Sequence, residues 1–265
     1  MTEPKLATQS RRGRFYSLPA GGPDLPSVTT ILDVLAKPAL VRWAAKEVAE
    51  AAWDDRKALS VMKDREAALK MLKGAPWSRR EKAADLGTSV HEVAAVLSAG
   101  GTLPSISPTA EPYVDAFLQA VKDLDLDIEI TEATVGNRTI GYAGSLDGIG
   151  TSGMMDKRFL FDIKTGKGVY PETSLQLAAY RFAEIIVKSV ITLDPEGSNI
   201  ESYHLETDDV EEPMPQVDGA AVLHLKPDGE YAWFPTRADE DTFNVFVALA
   251  KVWRWNDEDA KEAFG

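Results

Sequence analysis

The chain has 265 residues, 44% of them hydrophobic and 27% charged, the balance of a protein that folds around its own core and not of a disordered or fibrous chain. It has no cysteine, which excludes disulfides, thiolate zinc sites, cysteine-held iron–sulfur clusters and a cysteine nucleophile. The net charge of −13 would argue against a polyanionic partner if it were uniform, but residues 190–265 hold 5 Lys+Arg against 18 Asp+Glu, whereas residues 37–82 hold 12 against 7.

The N-terminal MTEPKLATQSRRGRF lacks the apolar stretch of a secretory signal, and no apolar run reaches the roughly 18–20 residues of a membrane helix. A cytoplasmic location without membrane contact is expected. Residues 1–26 read as a polar arm closing on the turn GGPDLP. Ser27 is placed as the N-cap of VTTILDVLA. Lys37-Pro38 breaks that helix, and Pro38 starts ALVRWAAKEVAEAAW, because the first helical turn leaves its N–H groups unpaired and so tolerates proline. A third helical stretch covers 56–73. Ser78 and Glu81 form an S-x-x-E capping box for a helix running to about Ser98, stopped by Gly100-Gly101. AEPYVDAFLQAVKDL is a further amphipathic helix.

The periodicity then changes from helical to alternating. IEITEATVG and RTIGYAGSLDGIG read as strands across a Gly136-Asn137 turn, and RFLFDIK as a short buried strand. Pro171 opens the helix ETSLQLAAYRFAEIIVKS, whose apolar stripe is Leu175, Ala179, Phe182 and Ile186. Residues 192–217 read as an acidic, turn-rich excursion with strand pieces. AAVLHLKP and YAWFPT form a hairpin around Asp228-Gly229, and a helix from about Ala238 closes the chain. This order gives one mixed α/β domain over 1–265, with an arm (1–26), a helical section (27–105) and an α/β core (106–265).

Four groups of residues carry chemistry. In the strand FLFDIK, Asp162 and Lys164 are two apart and share a face, with Thr165-Gly166 at the strand end; taken alone, this D-x-K also describes a surface ion pair. Asp147 ends GYAGSLD, 15 residues earlier, and two converging carboxylates repel unless a cation lies between them. His91 follows Gly87 by four residues on one helix face, and a mid-helix glycine suggests close backbone approach; taken alone, His91 also reads as a buried, satisfied core histidine. Gln176 and Tyr180 share a face of the helix after the D-x-K strand. With only three histidines (His91, His204 and His224), any metal centre rests largely on carboxylates, which favour Mg2+ or Mn2+. Trp43, Trp53 and Trp77 interleave with the basic residues of 37–82, either as core anchors or as platforms for stacked bases.

The phrases GTSVH (87–91), GSLD (144–147), DIKTGK (162–167) and QLAAY (176–180) together resemble the RecB-like branch of the PD-(D/E)XK nuclease superfamily. PSVTTIL (26–32) and KPALVRWAAKE (37–47) resemble phage-encoded exonucleases of that branch. The resemblance implies a restriction-endonuclease-like core, a mixed sheet flanked by helices, with a helical N-terminal section. It implies His91, Asp147, Asp162 and the carbonyl of Ile163 as ligands of Mg2+ or Mn2+, with Lys164 catalytic and Gln176 and Tyr180 as its accessory pair. Arg79, Arg80, Lys82 and Thr165 are the candidate DNA contacts. The implied activity is a metal-dependent deoxyribonuclease, an exonuclease acting on DNA ends in phage or bacterial recombination, replication or repair. Its partners would be DNA and a single-strand annealing, helicase or replication protein. A structure-selective endonuclease with the same site, or an inert DNA-binding scaffold, are the alternatives.

Three motifs are set aside. Many relatives hold an iron–sulfur cluster on four cysteines, so a cluster-free member is expected. No G-x-x-x-x-G-K-[ST] is present, so no ATP-driven motor is expected. Gly148, Gly150 and Gly153 spell G-x-G-x-x-G, but the text that follows reads as turn and strand, whereas a dinucleotide fingerprint opens a helix.

Overall fold

The alternating second half of the chain builds one seven-stranded sheet, and helices from both halves cover it. The computed structural model describes residues 6–98, 106–193, 205–257 and 260. Its N-terminal elements are β1 (Ala7–Ser10), β2 (Gly13–Tyr16), β3 (Leu25–Pro26), α1 (Val28–Leu32), α2 (Pro38–Asp54), α3 (Arg56–Val61), α4 (Arg65–Ser98) and α5 (Glu111–Asp123). The remainder are β4 (Leu126–Asn137), β5 (Tyr142–Ser152), β6 (Lys157–Lys164), α6 (Glu172–Arg181), β7 (Ile185–Leu193), β8 (Leu205–Pro213), β9 (Gly219–Leu225), β10 (Tyr231–Thr236) and α7 (Glu240–Asp257).

The large sheet has the order β10-β9-β6-β5-β4-β7-β8. Its neighbours are antiparallel except β6 and β9, and a parallel pair needs a long crossover, which α6 and the β7–β8 hairpin supply. Successive residues of β6 point to opposite faces. Phe161 and Ile163 pack with Val90 and Val93 of α4 and Phe117 of α5. Leu160 packs on the other face with Ile31 of α1, Leu177 of α6 and Phe246 of α7. Burying each such side chain stabilises the fold by about 1.5–3 kcal/mol, so β6 is anchored from both sides. Asp162 and Lys164 continue the Leu160 face, toward α6.

Several sequence expectations hold. Ser27 caps α1, its Oγ accepting the Thr30 N–H at 2.9 Å, and Pro38 occupies the first turn of α2. The Asp228-Gly229 turn joins β9 to β10, with Gly229 at φ +82. Gly148 and Gly150 lie inside β5, which turns directly into β6, as a chain without a dinucleotide loop requires.

Others are corrected. The arm is not merely polar: β1, β2 and β3 form a small sheet, and Tyr16, Leu18 and Leu25 are buried against Ala143 and Val187. The helix of His91 does not start at a Ser78–Glu81 box. It runs unbroken from Arg65 through Pro76, and the Ser78 hydroxyl donates to the Ala75 carbonyl at 3.1 Å instead of capping. Gly136 stays within β4; the turn lies at 138–141, where Asn137 Oδ1 accepts the Ile140 N–H at 2.8 Å and Gly141 takes φ +82. The helix opened by Pro171 ends at Arg181, and Ile186 belongs to β7 and not to a helical stripe. Asn137 Nδ2 donates to the Phe182 carbonyl and the Glu184 N–H to the Gly136 carbonyl, which frees the β-branched run 185–187 to pair with β4. The acidic excursion does carry strand, as expected: β8 pairs with β7. Gly100-Gly101 and His204 lie outside the described residues.

Candidate active site

The site forms where β5 and β6 part. Their ladder runs from Ser152↔Lys157 to Gly148↔Phe161 and pairs no further. Beyond it the Ile163 N–H donates to Asp147 Oδ2 at 2.7 Å, so a side-chain carboxylate stands where a strand carbonyl would otherwise be. This sets Asp147 against β6 beside Asp162.

Asp162 is buried, 1% exposed. Lys164 Nζ lies 2.9 Å from its Oδ1 and 2.8 Å from its Oδ2. Gln176 Nε2 lies 3.3 Å from the same Oδ1 and 3.2 Å from the Tyr180 hydroxyl, one turn further along α6. The Lys164 ammonium is at ion-pair distance from Oδ2, yet the hydrogen-bond directions favour Oδ1, and Oδ2 is a buried acceptor without a hydrogen-bond partner. The glycine of GSLD makes room for this arrangement: a Cβ on Gly144 would stand 2.5 Å from Tyr180 Cε1.

His91 reaches the site from the opposite face of the sheet, because Val90, Val93 and Ala94 fix α4 in the core under β6. Its Nε2 is 3.7 Å from Asp147 Oδ2, and its Nδ1 is 2.6 Å from Glu132 Oε1. Ligand atoms of His91, Glu132 and Asp147 all lie within 4.8 Å of one another. Gly87, one turn before His91, faces Thr165, but a Cβ there would meet Thr165 Oγ1 at 3.6 Å, an ordinary contact. Among the described residues, the close backbone approach expected at Gly87 is not seen.

The electrostatics follow from burial and crowding. Burial first, then the neighbouring Asp147 charge, pushes the Asp162 carboxyl up to about 6, while Lys164 opposes both. Burial disfavours the Lys164 ammonium, but Asp162 and Asp147 outweigh it and hold its pKa above the usual lysine value. Burial also disfavours the His91 imidazolium, and Asp147 and Glu132 overcome it, raising the ring to about 9. Burial drives the Tyr180 phenol well above its ordinary value, so it stays a neutral hydroxyl.

The fold thus brings together His91, Asp147, Asp162, Ile163, Lys164, Gln176 and Tyr180, with Thr165 at the margin. Glu132 is the residue that sequence reasoning missed. Once the turn is placed at 138–141, counting back along β4 sets Glu132 across from Asp147, and that register was the available signal. Arg79, Arg80 and Lys82 belong to α4, but their side chains lie outside the described residues. Trp53 and Trp77 are 69% and 62% exposed, which removes the core-anchor reading for both, whereas Trp43 is half-buried. His224 pairs with Lys164 across β9, and its Nε2 lies 2.7 Å from the Gly166 carbonyl, bracing the turn after the D-x-K strand. No protein-family model and no curated protein matches the chain.

Proposed function

We propose that the protein is a divalent-metal-dependent deoxyribonuclease, an exonuclease acting on DNA ends. The observation that carries this reading is the pairing of His91 with Asp147, 3.7 Å apart at the parting of β5 and β6, beside Asp162, whose carboxylate feels the Asp147 charge and holds Lys164. The donor set suits a hard cation with one nitrogen ligand: buried Asp162 Oδ2 has the Lys164 ammonium at 2.8 Å but no well-directed hydrogen bond, and burial with the Asp147 charge still leaves the Asp162 carboxyl pushed up to about 6. His91, Asp147 and Asp162 would hold Mg2+ or Mn2+, with the Ile163 carbonyl as the fourth protein ligand that the family resemblance implies. When bound, such an ion supplies a Lewis acid and lowers the pKa of water.

The chain's own groups supply the rest. Lys164 is fixed by Asp162 beside this point, where an ammonium stabilises negative charge building on a scissile phosphate or holds the attacking water. Gln176 holds Asp162 Oδ1 from α6, and Tyr180 holds Gln176, so the carboxylate keeps one orientation. The basic stretch 37–82, with exposed Trp53 and Trp77, favours a polyanionic substrate despite the net charge of −13.

Digestion of matched linear and circular duplexes in Mg2+, Mn2+ or EDTA tests the reading. Loss of linear DNA with circles intact, abolished by EDTA, is the expected result. Cutting of circles would make the protein an endonuclease, and no cleavage with either ion would leave a DNA-binding scaffold.

A further inference from the structure

We propose that Glu132 is a positioning residue that holds the proton of His91 on Nδ1 and thereby presents Nε2 to the metal. This rests on the nuclease reading above and adds to it a residue that none of the motifs contains.

Three observations carry it. Glu132 Oε1 lies 2.6 Å from His91 Nδ1, a short charge-assisted hydrogen-bond distance, while Nε2 faces Asp147 at 3.7 Å. Glu132 takes φ +50 within a strand, a conformation that residues with a side chain rarely adopt. Its neighbours Thr131 and Ala133 stay in register with Gly148 and Leu146, so the departure is local to one residue, and it sets a carboxylate opposite Asp147, where like charge is unfavourable. Neither the core nor the ladder requires an acid in that conformation, since its side chain is 44% exposed. The contact it does make is with His91.

The chemistry explains the contact. A neutral imidazole carries one N–H, and its partners decide which nitrogen has it. A proton on Nε2 would point at Asp147 and block that nitrogen as a ligand. A carboxylate on Nδ1 keeps the proton there, fixes the ring plane and raises the basicity of Nε2, as partners of metal-bound histidines commonly do.

The test compares Glu132→Ala, Glu132→Gly and Glu132→Gln with wild type by calorimetric titration with Mg2+ at pH 9.5, where a second imidazole proton does not compete. Thermal melting of each metal-free protein and long-range 15N–1H spectra of His91 in the Mg2+-loaded state accompany it. Glu132→Ala and Glu132→Gly are expected to weaken Mg2+ binding about 10- to 100-fold and to lose the single Nδ1–H tautomer. Glu132→Gln keeps an acceptor and should stay within about threefold of wild type. Glu132→Gly should melt no lower than wild type, because glycine takes positive φ freely, so its weaker binding is not a folding defect. Wild-type affinity and tautomer in Glu132→Gly overturn the proposal alone. Loss in Glu132→Gln equal to that in Glu132→Ala also overturns it, since charge and not proton placement would then matter. Absence of Mg2+ binding in wild type overturns it together with the nuclease reading.

Discussion

Raising the pH from 7 to 9 is expected to tighten Mg2+ binding to this protein by about 50-fold. In the metal-free protein Asp147 and Glu132 hold the His91 imidazole protonated up to about pH 9. At pH 7 only about one ring in a hundred is then free to act as a ligand, and the ion must displace a proton at a cost of about 2.7 kcal/mol, at 1.36 kcal/mol per pH unit. At pH 9 half of the rings are free, and by about pH 10 the penalty vanishes and the affinity levels off. Below about 6 the Asp162 carboxyl also takes a proton, so the dependence steepens from one proton to two. Calorimetry in two buffers of different ionisation enthalpy counts these protons directly: about one released per ion at pH 7, and close to none at pH 10. Asp147→Asn is the internal control. It removes the largest charge raising His91, so fewer protons should be released at pH 7. An affinity that is flat between pH 7 and 9, with no proton released, would refute the argument that His91 is both the proton holder and a ligand.

The two aspartates should part company in the metal-free protein at pH 9.5. Asp147→Asn keeps an acceptor for the Ile163 N–H and removes repulsion on Asp162, so its melting temperature should rise; Asp162→Asn strands the largely buried Lys164 ammonium and should cost about 1–3 kcal/mol, discounted because Lys164 is partly exposed. Thermal melts that move both variants the same way would contradict this. Charge reversal at Arg79 and Arg80 should weaken binding to every DNA sequence and flatten its salt dependence, measured with Ca2+ in place of Mg2+ so that binding is read apart from cleavage; an unchanged affinity and slope would place the DNA path elsewhere.

How much of this was legible in the sequence depended on how local each signal is. Ser27 and Pro38 marked helix starts because capping and the first-turn tolerance for proline act within a few residues. The D-x-K spacing put Asp162 and Lys164 on one face for the same reason, and the glutamine and tyrosine of α6 stand one turn apart as the helical period demands. The signals failed where tertiary pairing decides. An apolar run such as 185–187 fits a helix or a strand equally, and only the vacant edge of β4 selects the strand. Ser78 looked like a cap, but α4 runs straight through it and its hydroxyl bonds back to the Ala75 carbonyl. Glu132 was hidden because its importance lies in cross-strand register, which a misplaced turn shifts, and in a backbone angle that no residue type announces.

The central claim is tested most directly by single-turnover digestion of end-labelled single- and double-stranded DNA with wild type and Lys164→Ala at equal, saturating Mg2+. In the proposed nuclease Lys164 acts on the reacting phosphate or water while standing outside the ligand set. Wild type should therefore release labelled product from DNA ends and fall silent in EDTA. Lys164→Ala should bind Mg2+ and melt cooperatively yet cleave at least about 100-fold more slowly, the scale on which single electrostatic stabilisers act. A well-folded, metal-binding Lys164→Ala protein that cleaves at the wild-type rate would contradict the account.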